Sequence, residues 1–449
     1  MELDMMQRIN QLLFERKYEA VRSLLQEQHP RKVADLLALM EQPAKALTFR
    51  LLPKDFAIEV FEFMEQEERT SLLKSMTNQQ VADLLNEMSP DDRTDLLEEL
   101  PAKVTKHYLS LLSPEQRNIA NQLLGYAEES AGRLMTTEFV DLKEHQTVEE
   151  ALEHIRLTAP NTETIYNCYV ISNGRELVGV ITLRELILAP LQAAVGEIMH
   201  RKVISVTTDT DQEQAARLMT DYGLSALPVV DRENRLVGII THDDILDVVE
   251  QESTEDIHRM GGVTSAGRDY FQEGFVGRVR KRLGWLIVLI LLQSLTSGIM
   301  QRYSFALESA VALAFFIPLL MDTGGNTGTQ SATLTIRGIA LGSLDQHSIM
   351  RLFGQELATG AFMGTILAAI AFLRSYLFSG QDLMLSLVIG LSLGVIVLFA
   401  NLVGLLLPLV AKMLRLDPAV MAGPFITTLI DVTGLILYFE TARFLLGIM

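Results

Sequence analysis

The spacing of apolar positions changes character near residue 275. From there they run in blocks of about 20 residues, the length that crosses a bilayer as a helix. The blocks lie near 284–305, 309–336, 352–377, 384–411 and 421–446. Polar breaks separate them: RYS with Glu308, RGIALGSLDQH, SGQD and KMLRLDP. The pattern predicts a transmembrane domain of five α-helices over residues 275–449. Pro318 and Pro408 fall inside blocks, where a proline kinks a helix and frees a backbone carbonyl. Gly324/Gly328, Gly360/Gly364 and Gly390/Gly394 repeat at the spacing that lets helices cross closely.

Upstream the apolar residues recur at shorter range. Residues 1–130 predict an all-α superhelical domain of short helices that end in prolines or turn signals: QHPRKVADLLALMEQP, NQQVADLLNEMSP, DDRTDLLEELP and LSPEQRNIANQLLGYA. ADLLALM, ADLLNEM and TDLLEEL echo one another, as helical repeats do. Residues 131–250 predict an α/β module with its own repeat. GRLMTTEFVDLKEHQTVEEALEHI (132–155) aligns with GEIMHRKVISVTTDTDQEQAARLM (196–219), and LVGVITLRELI (177–187) with LVGIITHDDIL (236–246). Each copy reads strand, helix, strand, strand, helix, and its last two strands form a hairpin. Residues 243–274 join this module to the membrane. Ile245, Leu246, Val249, Ile257 and Met260 give that connector a partial apolar stripe, and Asp243, Asp244, Asp247, Glu250, Glu252, Glu255 and Asp256 crowd its polar side.

Charge sharpens the division. Residues 1–274 hold 48 acidic against 27 basic side chains, net −21; residues 275–449 hold 8 against 11, net +3. An acidic soluble half argues against nucleic acid as a partner, because phosphates need cations to displace their counterions; metal cations suit it. Basic residues also orient the spans. Arg278, Arg280, Lys281 and Arg282 precede the first, and Arg337, Arg351, Lys412 and Arg415 fall in connections on the same side. The N-terminal half is therefore expected in the cytoplasm and, with five spans, the C-terminus outside the plasma membrane. The N-terminus lacks the basic-then-apolar order of a secretory signal. The single cysteine, Cys168, excludes an internal disulfide or a cysteine zinc site, and HExxH, GxxxxGK and GxGxxG are all absent. No enzyme chemistry is expected.

Two polar features interrupt the apolar blocks. In PFITTLIDVTGLILYFE, Asp431 falls about 15 Å into its helix, near the midplane. An ionised carboxylate there costs about 2.5–3.5 kcal/mol on insertion scales. No base lies at matching depth, so the expected partner is a mobile cation; a protonated carboxyl bonded to Thr427, Thr428 or Asn401 is the alternative. In MDTGGNTGTQSAT (321–333), Asp322, Asn326, Thr327 and Gln330 make a poor lipid-facing surface. With Asn401 of FANLVG and Thr428, they are expected to wall a pore. One Asp431 per chain points to a homodimer, whose two-fold axis would bring two carboxylates to a dication; Asp322 is the alternative source of the second charge.

The repeated module resembles tandem CBS domains. GIITHDD sets Thr241 and Asp244 as in CBS copies that hold adenine nucleotides, so this resemblance implies both as contacts to ATP or AMP. The whole chain resembles the MgtE family of magnesium channels and transporters. GGNTGTQSATL (324–334), FANLVG (399–404), ITTLIDVTGLILYF (426–439), STEDIHRMGG (253–262) and the CBS pair carry that likeness. It implies a homodimeric Mg²⁺ uptake channel in the lipid bilayer, with Asp431 as the ion-selecting carboxylate. The 243–262 connector would be a plug helix; with the helical domain and the CBS pair it would form a cytosolic magnesium sensor. Asp91, Asp95, Asp247 and Glu255 stand where the family places sensor carboxylates, and Asp243 and Asp256 of the connector join them as candidate metal ligands. Where the family also uses an acid, this chain has His258. Mg²⁺ is thus expected as cargo and as regulator, with ATP as a further ligand. Two rivals stay open. Transport of Mn²⁺, Co²⁺ or Zn²⁺ is disfavoured by the lack of Cys or His near Asp431. A nucleotide-sensing membrane receptor that transports nothing is the other.

Overall fold

The computed structural model describes residues 2–264, 274–340, 346–421 and 423–447. It divides into two compact units, Met1–Val249 and Glu250–Met449. The stretch 265–273 of the expected connector and the stretch 341–345 of the second polar break lie outside the described residues.

The first unit opens with ten helices, α1 (Glu2–Phe14) to α10 (Pro114–Leu123). Several begin on a proline, including α3 (Pro30–Ala38), α8 (Pro90–Glu98) and α10. The missing N–H costs nothing there, because first-turn amides have no intrahelical partner. The echoing segments fall on α3, α7 (Asn78–Glu87) and α8, and each buries its leucine pair: Leu36/Leu37, Leu84/Leu85 and Leu96/Leu97. Arg93 of α8 is fully buried. Its guanidinium donates to the Leu85 and Met88 carbonyls at 3.1 and 3.3 Å and to Gln116 Oε1 at 2.6 Å. Carbonyls at the end of α7 are thereby satisfied and α8 is tied to α10, which fixes the acidic first turn of α8 in space.

The α/β repeat is present as expected. The first copy contains α11 (Ala131–Leu134), β1 (Phe139–Lys143), α12 (Val148–Thr158), β2 (Thr164–Ile171), β3 (Leu177–Thr182) and α13 (Leu183–Leu188). The second contains α14 (Val195–Ile198), β4 (Val206–Thr207), α15 (Gln212–Tyr222), β5 (Ala226–Val230), β6 (Leu236–Thr241) and α16 (His242–Met260). Each forms a three-stranded sheet, parallel between its first two strands and antiparallel in the hairpin. The two hairpins meet reciprocally: Leu177 N donates to the Asn234 carbonyl at 2.9 Å, and Leu236 N to the Arg175 carbonyl at 3.0 Å. Arg175 and Asn234 are equivalent turn residues, both at positive φ.

The second unit holds α17 (Phe275–Arg302), α18 (Ser304–Ser309), α19 (Ala312–Ala340), α20 (Gln346–Leu373), α21 (Leu383–Met413) and α22 (Pro424–Leu446). Among the described residues, four stretches are long and apolar enough to cross a membrane: Phe275–Arg302, Ile349–Phe378, Leu383–Met413 and Pro424–Leu446. This corrects the count of five apolar spans. The second expected span, α19, is a continuous 29-residue helix containing Pro318, but its polar island lowers its hydropathy below that of the others. α21 packs against α19, α20 and α22 around Ile396, Ile426 and Ile430. Glycines permit the crossings. A Cβ on Gly404 would lie 2.3 Å from the Gly328 carbonyl oxygen, and one on Gly364 would lie 2.7 Å from that of Gly394. α17 packs on α22 and has no buried residue within this chain.

Candidate functional site

The polar island on α19 divides between two faces. Asp322, Asn326 and Gln330, one helical turn apart, are exposed, whereas Thr327, Ser331 and Thr335 are buried. The register against α22 follows from the glycines. A Cβ on Gly324 would meet Ile430, and one on Gly434 would meet Met321. Asp322 of α19 and Asp431 of α22 therefore stand at the same height along this helix pair. Asp431 is half-buried, and the Gln293 side chain of α17 lies beside its carboxylate. The exposed row of α19 is thus level, at its Asp322 end, with Asp431.

Three expected wall residues are not on that side. Thr327, Asn401 and Thr428 are buried in the packing of this chain. Thr327 Oγ1 donates to the Thr323 carbonyl and Thr428 Oγ1 to the Pro424 carbonyl, each at 2.8 Å. Each hydroxyl is satisfied on its own helix backbone, so burial against the neighbouring helices costs it no hydrogen bond. Asn401 instead meets an acid that the sequence reasoning missed. Its Nδ2 donates to Glu356 Oε2 at 2.6 Å and to the Glu356 carbonyl at 2.8 Å. Ser331 Oγ lies 3.1 Å from the same Oε2 and 2.9 Å from the Asn401 carbonyl. The rule that singles out Asp431, an acid inside an apolar block, applies equally to Glu356.

In the first unit the acidic face of α8 meets the start of α16. Asp91 feels the charge of Asp244, Asp92 that of Asp243, and Asp95 that of Asp247. Burial holds the Asp91 carboxyl well above the ordinary carboxylate range, and Asp244, Asp92 and Glu163 add to it. Its Oδ1 is buried without a hydrogen-bond partner, the condition a bound cation or its water would relieve. Burial pushes Asp244 up to about 7; the Thr241 hydrogen bonds oppose this, and the Asp243 and Asp92 charges add to it. Burial pushes Glu62 up to about 8, with Asp92, Glu163 and Glu59 adding. Asp95 is exposed and lies 3.7 Å from Arg69. Asp92, Glu62 and Glu163 were not anticipated. Asp92 was legible beside Asp91, but nothing in the sequence brings Glu62 or Glu163 to α8.

Thr241 and Asp244 are paired with each other. Thr241 Oγ1 donates to Asp244 Oδ2 at 2.5 Å, and Thr241 N to the same oxygen at 3.2 Å. This is the reciprocal half of a capping box at the start of α16, in which the third residue's carboxylate accepts from the preceding backbone N–H. Further along, Glu255 is ion-paired with Arg259, which also pairs with Asp417. The Glu255 carboxylate, a candidate metal ligand, is thus ion-paired with a guanidinium in this structure. Asp256 is half-buried on the same turn. Among the described residues, no three His, Cys, Asp or Glu side chains stand close enough to ligate one ion directly.

Comparison with known proteins adds the following. A family model described as "MgtE: Divalent cation transporter" matches residues 317–441, one described as "MgtE intracellular N domain" matches 28–129, and the CBS domain model matches 131–191 and 195–251. The magnesium transporter MgtE of Thermus thermophilus is 44% identical over 444 residues, covering 98% of each chain. That of Bacillus subtilis is 33% identical over 437 residues, covering 97% of this chain and 96% of the relative. Two crystal structures resemble the first unit. The cytosolic domain of the Mg²⁺ channel MgtE in complex with ATP is 42% identical, with a TM-score of 0.51, and covers 54% of this chain and 98% of that one. The soluble part of a magnesium transporter is 32% identical, with a TM-score of 0.53, and covers 56% of this chain and 100% of that one.

Proposed function

The chain belongs to the MgtE family of magnesium transporters, and from that premise we propose the route and the gate by which it carries Mg²⁺. It is a multi-pass membrane transporter with a cytosolic regulatory half, and not an enzyme.

One observation carries the route: the exposed row Asp322, Asn326, Gln330, level at its acidic end with Asp431. Lipid cannot satisfy those groups. A second copy across a two-fold axis, with water between, would satisfy them, so the transporter works as a homodimer with its pore on that axis. On this reading α19 is a fifth membrane crossing, tolerated because its polar face meets water. Five crossings place the C-terminus outside. Mg²⁺ sheds its waters reluctantly and prefers hard oxygen ligands. The amides of Asn326 and Gln330 hydrogen-bond those waters, and the carboxylates of Asp431 and Asp322 supply the charge. The test is Mg²⁺ influx into proteoliposomes of the purified protein as a function of Mg²⁺ on the regulatory side. Complete absence of influx would leave a receptor without transport as the better account.

The gate is the acidic face shared by α8 and α16, with Asp91, Asp95, Asp243 and Asp247 holding regulatory Mg²⁺ through its water shell; Glu255 and Asp256 lie further along the plug. Bound dications would neutralise the repulsion between the two rows and favour the compact form. This makes a stability prediction. Asp244 and Glu62 keep a proton in the fold up to about 7 and about 8, whereas in the unfolded chain they lose it near 4. The folded state is the better proton binder in between, so stability falls as pH rises through that window. Adding Mg²⁺ at the alkaline end is expected to restore it. Differential scanning fluorimetry at either end of the window, with and without Mg²⁺, reads this directly; a melting temperature indifferent to both would remove the acidic face from the sensor.

The ATP bound by the crystallised relative extends to this chain through Thr241 and Asp244. A nucleotide hydroxyl or phosphate edge would share or replace the Thr241 contact to Asp244. Asp244→Ala is expected to weaken ATP binding by about tenfold, the worth of one charge-assisted hydrogen bond. Calorimetric titration with ATP measures it, and unchanged affinity would restrict the pair to capping α16.

A further inference from the structure

Glu356 has no place in the route or the gate, yet it sits where three membrane helices meet. It belongs to α20, and the residues it holds belong to α19 and α21. Its Oε2 accepts from Asn401 Nδ2 at 2.6 Å and from Ser331 Oγ at 3.1 Å. Asn401 closes the set: its Nδ2 also donates to the Glu356 carbonyl at 2.8 Å, and its own carbonyl lies 2.9 Å from Ser331 Oγ, whose single hydrogen is shared between that carbonyl and Glu356 Oε2. The helices are in direct contact here. A Cβ on Gly360, one turn along α20, would lie 3.1 Å from Asn401 Cβ, and one on Gly404 would lie 2.8 Å from Ser331 Cβ. Ser331 itself is buried and adjoins Gln330, which is exposed on the polar row.

A carboxylate inside a membrane unit persists only with a function or a full set of partners. Asp431 meets a path. Glu356, itself half-buried, instead meets two buried side-chain donors, and one of them is carried by the helix that presents the polar row. We infer that Glu356 is a positioning residue for permeation: through Ser331 it sets the rotation and height of α19, and hence where Asn326 and Gln330 meet the hydrated ion. This inference rests on the reading that the exposed row of α19 lines the path. The mechanism is geometric. A hydrated ion is held through water by several weak contacts at once, so a small roll of α19 spoils them together and admits ions of other size.

The ligand that matters here is an acceptor oxygen, not a net charge. Glu356→Gln keeps such an oxygen for both Ser331 and Asn401, so it is expected to retain Mg²⁺ influx within about twofold. Glu356→Ala removes it, and influx is expected to fall about tenfold, the scale of a sub-ångström misplacement. The ratio of Ca²⁺ to Mg²⁺ influx in the same proteoliposomes is expected to rise. A merely structural role would lower melting temperature or yield and leave that ratio unmoved. If Glu356→Ala does not fold, Ser331→Ala cuts only the tie to α19 and is expected to shift the ratio in the same direction. Glu356→Gln behaving like Glu356→Ala would overturn the inference, as would an unchanged ratio in either alanine variant. Asn326→Ala and Gln330→Ala separate the two claims. If they leave both flux and ratio at the unmodified level, the reading of the row as a pore wall fails. If they change the ratio while the Glu356 and Ser331 variants do not, the row stands and the positioning role falls.

Discussion

Asp431→Ala is expected to abolish Mg²⁺ influx while the protein still folds and keeps the assembly of the unmodified protein. The size of the effect follows from charge. Two unit charges 4 Å apart attract by about 4 kcal/mol at an effective dielectric of 20, and a dication doubles the interaction with each carboxylate. In a two-fold dimer the substitution removes both copies at once. Every 1.4 kcal/mol is about a factor of ten, so a loss of several kcal/mol takes ion occupancy of the pore, and with it flux, below detection. Folding should survive, because Asp431 is only half-buried and Ile430, its neighbour in sequence, carries the packing. Asp431→Asn keeps the shape and the Gln293 contact while removing the charge, and should fail nearly as badly. Asp431→Glu keeps the charge and should conduct with altered selectivity. The measurement is tracer or dye-reported influx into proteoliposomes, with size-exclusion chromatography as the control on assembly. Normal influx through the alanine variant would reject the site.

Replacing Asp91, Asp95 and Asp247 together by alanine is expected to leave the transporter open at Mg²⁺ concentrations that close the unmodified protein. A ligand closes a two-state gate only through its greater affinity for the closed form. These three carboxylates lie on the two facing acidic rows, and without them that difference in affinity is lost. Asp92, Asp243, Asp244 and Glu163 remain and still repel one another, so the compact form gains little from the substitutions themselves. The half-inhibitory Mg²⁺ concentration should rise by about tenfold or more, which corresponds to roughly 1.4 kcal/mol of differential binding. Influx measured against cytosolic-side Mg²⁺ reads it. Closure at the original concentration would mean that Mg²⁺ is sensed elsewhere in the molecule.

Much of this architecture was legible because it repeats or alternates. The leucine pairs of ADLLALM, ADLLNEM and TDLLEEL are buried on α3, α7 and α8, because a short helix with one apolar face has one way to pack. The offset copies in residues 131–250 form equivalent sheets, joined by reciprocal hydrogen bonds between equivalent turns. Asp431 stood out because a charge in an apolar block violates the pattern around it. Glu356 violates its own apolar block in the same way, and it is Glu356 that draws the Asn401 amide into the packing rather than toward a pore.

The amino-acid sequence by itself determined which stretches are helices and strands, that a cytosolic acidic half precedes a membrane half, and that Asp322 and Asp431 are acids set in apolar surroundings. Those features are local: they depend on periodicity and composition within one segment. Only the tertiary structure decided that Asn326 and Gln330 face outward while Thr327 and Ser331 face inward, and that Asp322 and Asp431 share one height. It alone set Asp91 against Asp244 and placed Arg259 between Glu255 and Asp417. Such facts depend on the azimuth and register of one helix against another. Glycine contacts and buried hydrogen bonds fix these between residues far apart in the chain, and no single segment encodes them.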